Sequence, residues 1–417
     1  MTTPEVAEPA ALPSAVWGYV FAGLSASLVG IGLARFAYTP LIPPLIRAHW
    51  FAPADVVYLS AANLVGYLVG AMSGQPLARR LSHAWVLRLM MLAVSVSMAA
   101  CAFPLSLTWF FVWRLISGIG GGAIMVVVAA TVLPYIPASR RGAAAGCVFL
   151  GVGLGIAFSG TLVPLLLRFG LRLTWLGLAA VSGALTAATW AAWPQGGEPR
   201  EAPQPSSSAG SAATASGAKL VYIEYALMAT GLVPAMVFLV DFVARGLGAG
   251  DGRGALMWIC YGAGAIAGPP LYGALADRAG ARIAARLLLA VQTLAILGLT
   301  MTDRTVILCA LSAIAGTFPP GIVPMVLVWI RELFAADLQR QSVVWSRATI
   351  AFAAFQALAA YGFSAVFAAS GNDYGRVFVL GAAALAAALL LDFSAARTPV
   401  LRAAGPAAAA RLRDPPG

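Results

Sequence analysis

Gly30-Ile31-Gly32-Leu33-Ala34-Arg35-Phe36-Ala37-Tyr38-Thr39-Pro40-Leu41-Ile42-Pro43 lies inside an apolar run that extends from about Trp17 to Ile46. It places one permanent charge, two glycines and two prolines in a segment long enough to cross a bilayer. An arginine at membrane depth costs roughly 2.5–3.5 kcal/mol on insertion scales, so such residues face a bundle interior or a wet cavity. The run reads as the lining of a polar space that other helices must enclose.

The rest of the chain supplies those helices. Of its 417 residues 61% are hydrophobic and only 10% charged. A solvated surface needs far more charge, which excludes an ordinary soluble domain. Apolar blocks fall near 17–46, 54–78, 85–104, 106–134, 143–168, 172–193, 220–243, 254–276, 284–302, 305–330, 344–369 and 375–395. The fold class is all-α and membrane-spanning, with twelve helices in two six-helix bundles. The expected parts are a first bundle over 1–193, a cytoplasmic linker over 194–219 rich in Pro, Ser, Ala and Gly, a second bundle over 220–396 and a cytoplasmic tail over 397–417.

The basic balance, 26 Lys plus Arg against 15 Asp plus Glu, does not point to nucleic acid, because the charges sit in short loops. With the N-terminus inside, seventeen basic residues fall on the cytoplasmic side and seven outside, so both termini are expected in the cytoplasm. The first 14 residues hold Glu5 and Glu8 and no basic residue, unlike a secretory leader, and the first span is expected to be an uncleaved anchor. Cys101, Cys147, Cys260 and Cys309 lie in apolar blocks without a CxxC and read as small hydrophobes.

The second half echoes the first. Gly273-Ala-Leu-Ala-Asp277-Arg278-Ala-Gly280-Ala-Arg282 ends the eighth block, and Gly74-Gln-Pro-Leu-Ala78-Arg79-Arg80-Leu81-Ser-His83 ends the second. Aligning Gly74 with Gly273 sets Arg79 against Arg278. Parallel repeats of this kind suit a transporter whose halves rock about a midplane site.

These stretches resemble the major facilitator superfamily. Gly273, Asp277, Arg278, Gly280 and Arg282 match its signature loop, which the resemblance assigns to gating. Arg114-Leu-Ile-Ser-Gly118-Ile-Gly120 is similar to its Arg-x-x-x-Gly-x-Gly motif, and Gly146, Gly151, Gly153 and Gly155 to its glycine-rich fifth helix. The opening stretch, Asn63-Leu-Val-Gly66-Tyr67-Leu-Val-Gly70 and Gly231-Leu-Val-Pro234 leading to Asp241-Phe-Val-Ala-Arg245-Gly resemble the YbfB/YjiJ-type branch of bacterial inner-membrane proteins. One departure stands out, since Ala78 occupies the place where that alignment calls for Asp.

Candidate chemistry follows from polar residues at membrane depth. Arg35 and Arg114 both belong to the outer half, Arg114 at roughly 12 Å from the outer end of its span at 1.5 Å per residue. Two such guanidiniums suit a carboxylate or another anion, because the planar fork binds such groups bidentately. Ties to backbone carbonyls are the structural alternative, and the superfamily motif containing Arg114 is credited with coupling. Tyr38, Asn63, Tyr67 and Gln356 complete the candidate lining, with interhelical hydrogen bonding as the competing role. A proton-coupled transporter needs an acid that exchanges protons as the gate moves, and the candidates are Glu224 and Asp241. Asp241 stands four before Arg245, which favours an ion pair, and Glu224 stands near the cytoplasmic edge.

Enzyme chemistry is weakly supported. His49 and His83 are the two histidines, so HExxH metal chemistry and a His-based triad within the bilayer have no basis. Lys219 is the one lysine and follows Ala218, which rules out a Walker A motif. No cofactor and no metal are expected. The expected function is secondary active transport of a small molecule by alternating access across the bacterial inner membrane, by a monomer in the lipid bilayer. The substrate is an organic anion or an amphipathic metabolite, and protons are the candidate coupling ion. A non-transporting polytopic sensor or a lipid-modifying enzyme is the alternative.

Overall fold

The computed structural model describes residues 14–136, 141–194, 212–334 and 337–395. In chain order the long helices are α1 Val16–Arg47, α2 Pro53–Leu81, α3 His83–Cys101, α4 Leu107–Tyr135, α5 Gly146–Leu167, α6 Leu171–Thr189, α7 Ser216–Gly246, α8 Gly250–Ala279, α9 Ala281–Leu299, α10 Thr305–Leu333, α11 Val343–Ala369 and α12 Tyr374–Ala395. All but α8 are long and apolar enough to cross a membrane. The α8 helix carries Asp251 and Arg253 near one end and Asp277 and Arg278 near the other.

Helical structure leading into α7 begins at Ala212, eight residues earlier than the apolar block. The Ala-rich stretch 212–218 sustains a helix without belonging to an apolar block, so hydropathy alone misplaces that boundary. The linker residues 195–211 and the tail 397–417 lie outside the described residues.

A displacement of 198 residues carries His83–Cys101 onto Ala281–Leu299, Leu107 onto Thr305 and Tyr135 onto Leu333. It also reproduces individual contacts. A Cβ at Gly66 would fall 2.1 Å from the Leu115 carbonyl oxygen, and one at Gly264 would fall 1.9 Å from that of Ala313. One at Gly118 would meet the Asn63 carbonyl oxygen at 2.0 Å, and one at Gly316 that of Tyr261 at 1.9 Å. Only glycine lets α2 approach α4, and α8 approach α10, so closely.

The same displacement corrects the register read from the sequence by one residue. Ser82 (φ 77°) and Gly280 (φ 83°) hold the same left-handed turn after α2 and α8. The turn therefore sets Arg80 against Arg278 and Arg79 against Asp277. The first half carries a charge reversal at the signature aspartate, and Ala78 lies one place before it.

Helices α1 and α7 are both irregular, and the displacement sets one irregular segment of each, beginning at Phe36 and at Pro234, on the other. A π segment, Leu28–Leu33, and a 3-10 segment, Phe36–Leu41, interrupt α1, while π segments occupy Pro234–Phe238 and Phe242–Gly246 of α7. Proline removes an N–H from the ladder, and glycine allows tight crossings. A Cβ at Gly32 would lie 2.7 Å from the Gly155 Cα, fixing α1 against α5.

The halves meet along α5 with α8 and α2 with α11. At Gly262 a Cβ would lie 2.5 Å from Ala157 Cα, and Tyr58 meets Tyr361 edge-on at 4.7 Å between ring centroids. Peripheral α9 shows the opposite face, since Ile283, Leu287, Val291 and Leu294 are exposed at helical spacing while Ala284, Leu288 and Gln292 are buried. An exposed apolar stripe on a long apolar helix suits lipid contact.

Candidate functional site

The break in α1 sets Arg35 at a bend, between the π and 3-10 segments, where it reaches across to the second half. Its Nη1 donates to Gln356 Oε1 of α11 at 3.1 Å, and its Nη2 is buried without a partner. Arg114, 3% exposed on α4, donates from Nη1 to the Ala34 carbonyl at 2.7 Å and leaves Nε buried and unpartnered. The two arginines pair with tyrosines across helices: Arg35 Cζ lies 4.2 Å from the Tyr67 ring centroid and Arg114 Cζ 4.2 Å from that of Tyr38.

No carboxylate among the described residues forms an ion pair with either guanidinium. Both line the same small hollow, and Arg35 lies in the field of Arg114. A tyrosine face softens a cation's desolvation by a kcal/mol or so, about 0.5–2. It does not neutralise two like charges held side by side. The arrangement has the hydrogen-bonding capacity and charge to take an anion.

The hollow beside them is lined by Arg35, Thr39, Ser60, Leu64, Arg114, Met236 and Val237, and its volume is about 10 Å³. That is room for one water, so any organic solute requires the halves to part. A larger recess of about 330 Å³, bordered by Ile46, His49, Phe51, Ala52 and Pro53, opens at the loop between α1 and α2, away from both arginines.

The halves are tied at the end where α1 meets α2 and α7 meets α8. Arg47 pairs with Asp251 there. Thr39 Oγ1 donates to the Met236 carbonyl at 2.9 Å, and Trp258 Nε1 donates to Ser159 Oγ at 3.0 Å. These bonds, with the Tyr58–Tyr361 contact, close the hollow on that side.

Of the six lining residues expected from sequence, Arg35 and Arg114 line the hollow, while Tyr67 and Gln356 contact Arg35. Tyr38 contributes its ring, while its hydroxyl donates to the Val56 carbonyl at 2.7 Å. Asn63 joins helices instead, donating to Ser117 Oγ at 3.1 Å and to the Arg114 carbonyl at 3.4 Å. Thr39, Ser60 and Met236 were not singled out. Thr39 was visible as a hydroxyl inside the opening stretch, but Met236 enters through its backbone carbonyl, which accepts from Thr39.

The two candidate acids separate. Asp241 is held by Arg245, with Nε to Oδ1 at 2.5 Å and Nη2 to Oδ2 at 2.6 Å, and accepts from the Tyr374 hydroxyl at 2.6 Å. Glu224 is fully buried and neither carboxyl oxygen has a hydrogen-bond partner. In the signature loop, Gly280 makes the left-handed turn, the backbone N–H of Ala281 donates to Glu332 at 3.0 Å, and Arg282 reaches Asp392 at 2.7 Å. Gly273 and the exposed Arg278 make no cross-half contact that the structure describes, and the side chain of Asp277 lies outside the described residues. Among the described residues no cluster of three or more His, Cys, Asp or Glu could hold a metal ion.

Comparison with known proteins adds a family. A family model described as "Uncharacterised MFS-type transporter YbfB" matches residues 27–393. The niacin transporter NiaP of Acinetobacter baylyi is 32% identical over 102 residues, 24% of this chain and 23% of that protein. The 4-hydroxybenzoate transporter PcaK of the same organism is 30% identical over 132 residues, 31% and 28% of the two chains. The chain thus matches about a quarter of the length of these curated relatives. The xylose transporter XylE from E. coli, in a partially occluded inward-open conformation, superposes with a TM-score of 0.70 at 11% identity, covering 92% of this chain and 98% of that one. At that identity the likeness speaks for the fold alone.

Proposed function

The chain belongs to the YbfB-type family of major facilitator superfamily transporters, and from that premise we propose that it carries a small organic anion across the membrane by alternating access. The observation that carries this reading is the pair of guanidiniums of Arg35 and Arg114, near each other, without a carboxylate partner among the described residues, at the seam between the halves. A carboxylate entering the hollow would take the unpartnered Nη2 of Arg35 and Nε of Arg114, and the Tyr67 ring offers an aromatic face beside it. Relatives named for niacin and 4-hydroxybenzoate make aromatic monocarboxylates the first compounds to test.

The parts move as units 1–193 and 220–396, joined by 194–219, with both termini and the tail 397–417 in the cytoplasm. The basic residues of the short loops support that orientation. It assigns the Arg47–Asp251 end to the outside, so the state described is closed outwardly. The protein acts as a monomer of the inner membrane, and it is a carrier rather than a sensor or lipid-modifying enzyme.

The test is counterflow of labelled 4-hydroxybenzoate in proteoliposomes of the purified chain, with Arg35→Ala beside the wild type. Uptake by the wild type and its loss in the variant support the proposal. Equal uptake by both removes Arg35 from the site.

A further inference from the structure

Four charged groups gather at the opposite end of the second half, and the anion site uses none of them. Asp392 near the end of α12 is 1% exposed and takes two guanidiniums of α9, Arg282 at 2.7 Å and Arg286 by a closer contact. Arg282 also donates to the Asp392 carbonyl at 3.2 Å. Glu224, about two turns into α7, lies in the field of the same three groups. It is fully buried with both oxygens unpartnered, and α7 packs along α12, which in turn packs on α9.

The charge count decides what this arrangement does. Two guanidiniums and the Asp392 carboxylate leave one positive charge, which an ionised Glu224 would cancel and a protonated one would not. We propose that Glu224 is a proton-binding site of the transport cycle, with Asp392, Arg282 and Arg286 as the positioning cluster that responds to its charge. The inference rests on the transport reading above.

On release, the O–H bond of Glu224 breaks, its proton passes to water at that end of the bundle, and a second carboxylate appears beside arginines already committed to Asp392. To meet it, a guanidinium must leave Asp392 or α7 must shift toward α9 and α12. The α7 helix also carries Met236 and Val237, which line the anion hollow, so such a shift reaches the substrate. The remaining neighbours do not compete. From α11, Trp345 and Phe352 pack on the adjacent Tyr225 with ring centroids 6.2 and 4.5 Å away, and the charged Arg347 of that helix is exposed. On α10, Arg331 and Glu332 are exposed, as is Lys219 of α7 itself. Asp241, the other acid of α7, is already occupied by Arg245 and Tyr374.

Two readouts test the site on the purified full chain. The first needs no substrate: thermal melting across a series from mildly acidic to mildly alkaline pH, for wild type, Glu224→Gln and Glu224→Asp. The wild type and Glu224→Asp are expected to show a pH-dependent melting step that Glu224→Gln lacks. The second compares labelled 4-hydroxybenzoate driven by an imposed pH gradient with its counterflow, and Glu224→Gln is expected to lose about tenfold or more of the first and far less of the second. If Glu224→Gln does not fold, Glu224→Leu, which needs no hydrogen-bond partner, replaces it. Melting curves of identical pH dependence in wild type and variant overturn the proposal. Absence of wild-type 4-hydroxybenzoate transport counts against the anion reading, while the melting comparison still decides the proton site.

Discussion

Replacing Arg35 by alanine isolates one half of the proposed anion site. In the structure Arg35 gives Nη1 to Gln356 and keeps Nη2 without a partner, so a bound carboxylate would have one free donor edge to gain. A hydrogen bond to a charged group contributes about 1.5–3 kcal/mol net, which corresponds to a Kd weakened about 10- to 150-fold. The cost to folding is smaller. Gln356 loses its donor, at about 1 kcal/mol, and Tyr67 loses its covering cation, but the crowding of Arg35 against Arg114 is relieved. Arg35→Lys keeps the charge without the planar fork, so its affinity should fall between the two. Equilibrium binding of labelled 4-hydroxybenzoate to detergent-purified protein, with a melting curve for each variant, measures both terms. A Kd for Arg35→Ala within about threefold of wild type, in a protein that melts normally, would refute the assignment.

Other consequences are as specific. Gly66→Ala and Gly264→Ala each force a Cβ to within 2.1 and 1.9 Å of a carbonyl oxygen, and overpacking of this kind costs about 1–3 kcal/mol. Similar falls in melting temperature are expected, and tolerance of one with loss of the other would break the 198-residue equivalence. Joining Arg47→Cys to Asp251→Cys with a cleavable bifunctional thiol reagent should stop counterflow until the link is cleaved. Transport at full rate by the cross-linked protein would mean that the halves do not part there. Asp241→Asn should destabilise by about 1.5–3 kcal/mol through loss of the Arg245 pair, read as a lower melting temperature. The pH dependence of its remaining transport should match wild type, and an altered profile would return Asp241 to the coupling role.

Much of this architecture was legible because lipid imposes simple rules. Twelve long apolar blocks have few alternatives to twelve helices, and glycines four apart announce close helix crossings. Arg35 and Arg114 were conspicuous because each stands in an apolar run. What hydropathy could not supply was direction. Asn63 and Tyr67 share a helix face, yet one bonds Ser117 and the other lies under Arg35. Tyr38 stands three residues from Arg35 but covers Arg114. The register of the repeat also escaped, because Ser82 adopts the left-handed turn that glycine marks at Gly280. Met236 meets Thr39 through its backbone carbonyl, and no side-chain pattern encodes that. Glu224 and Asp241 look alike as acids of one helix. Only the third dimension shows one tied by Arg245 and Tyr374 and the other without a partner.

The central claim is that a negative charge is what the seam between the halves is built to receive. Competition of labelled 4-hydroxybenzoate counterflow by unlabelled 4-hydroxybenzoate and by its neutral amide measures this directly, since the two competitors share ring and shape. The acid is expected to compete at least about tenfold better, the equivalent of one lost charged hydrogen bond. Equal competition by the amide would contradict the account.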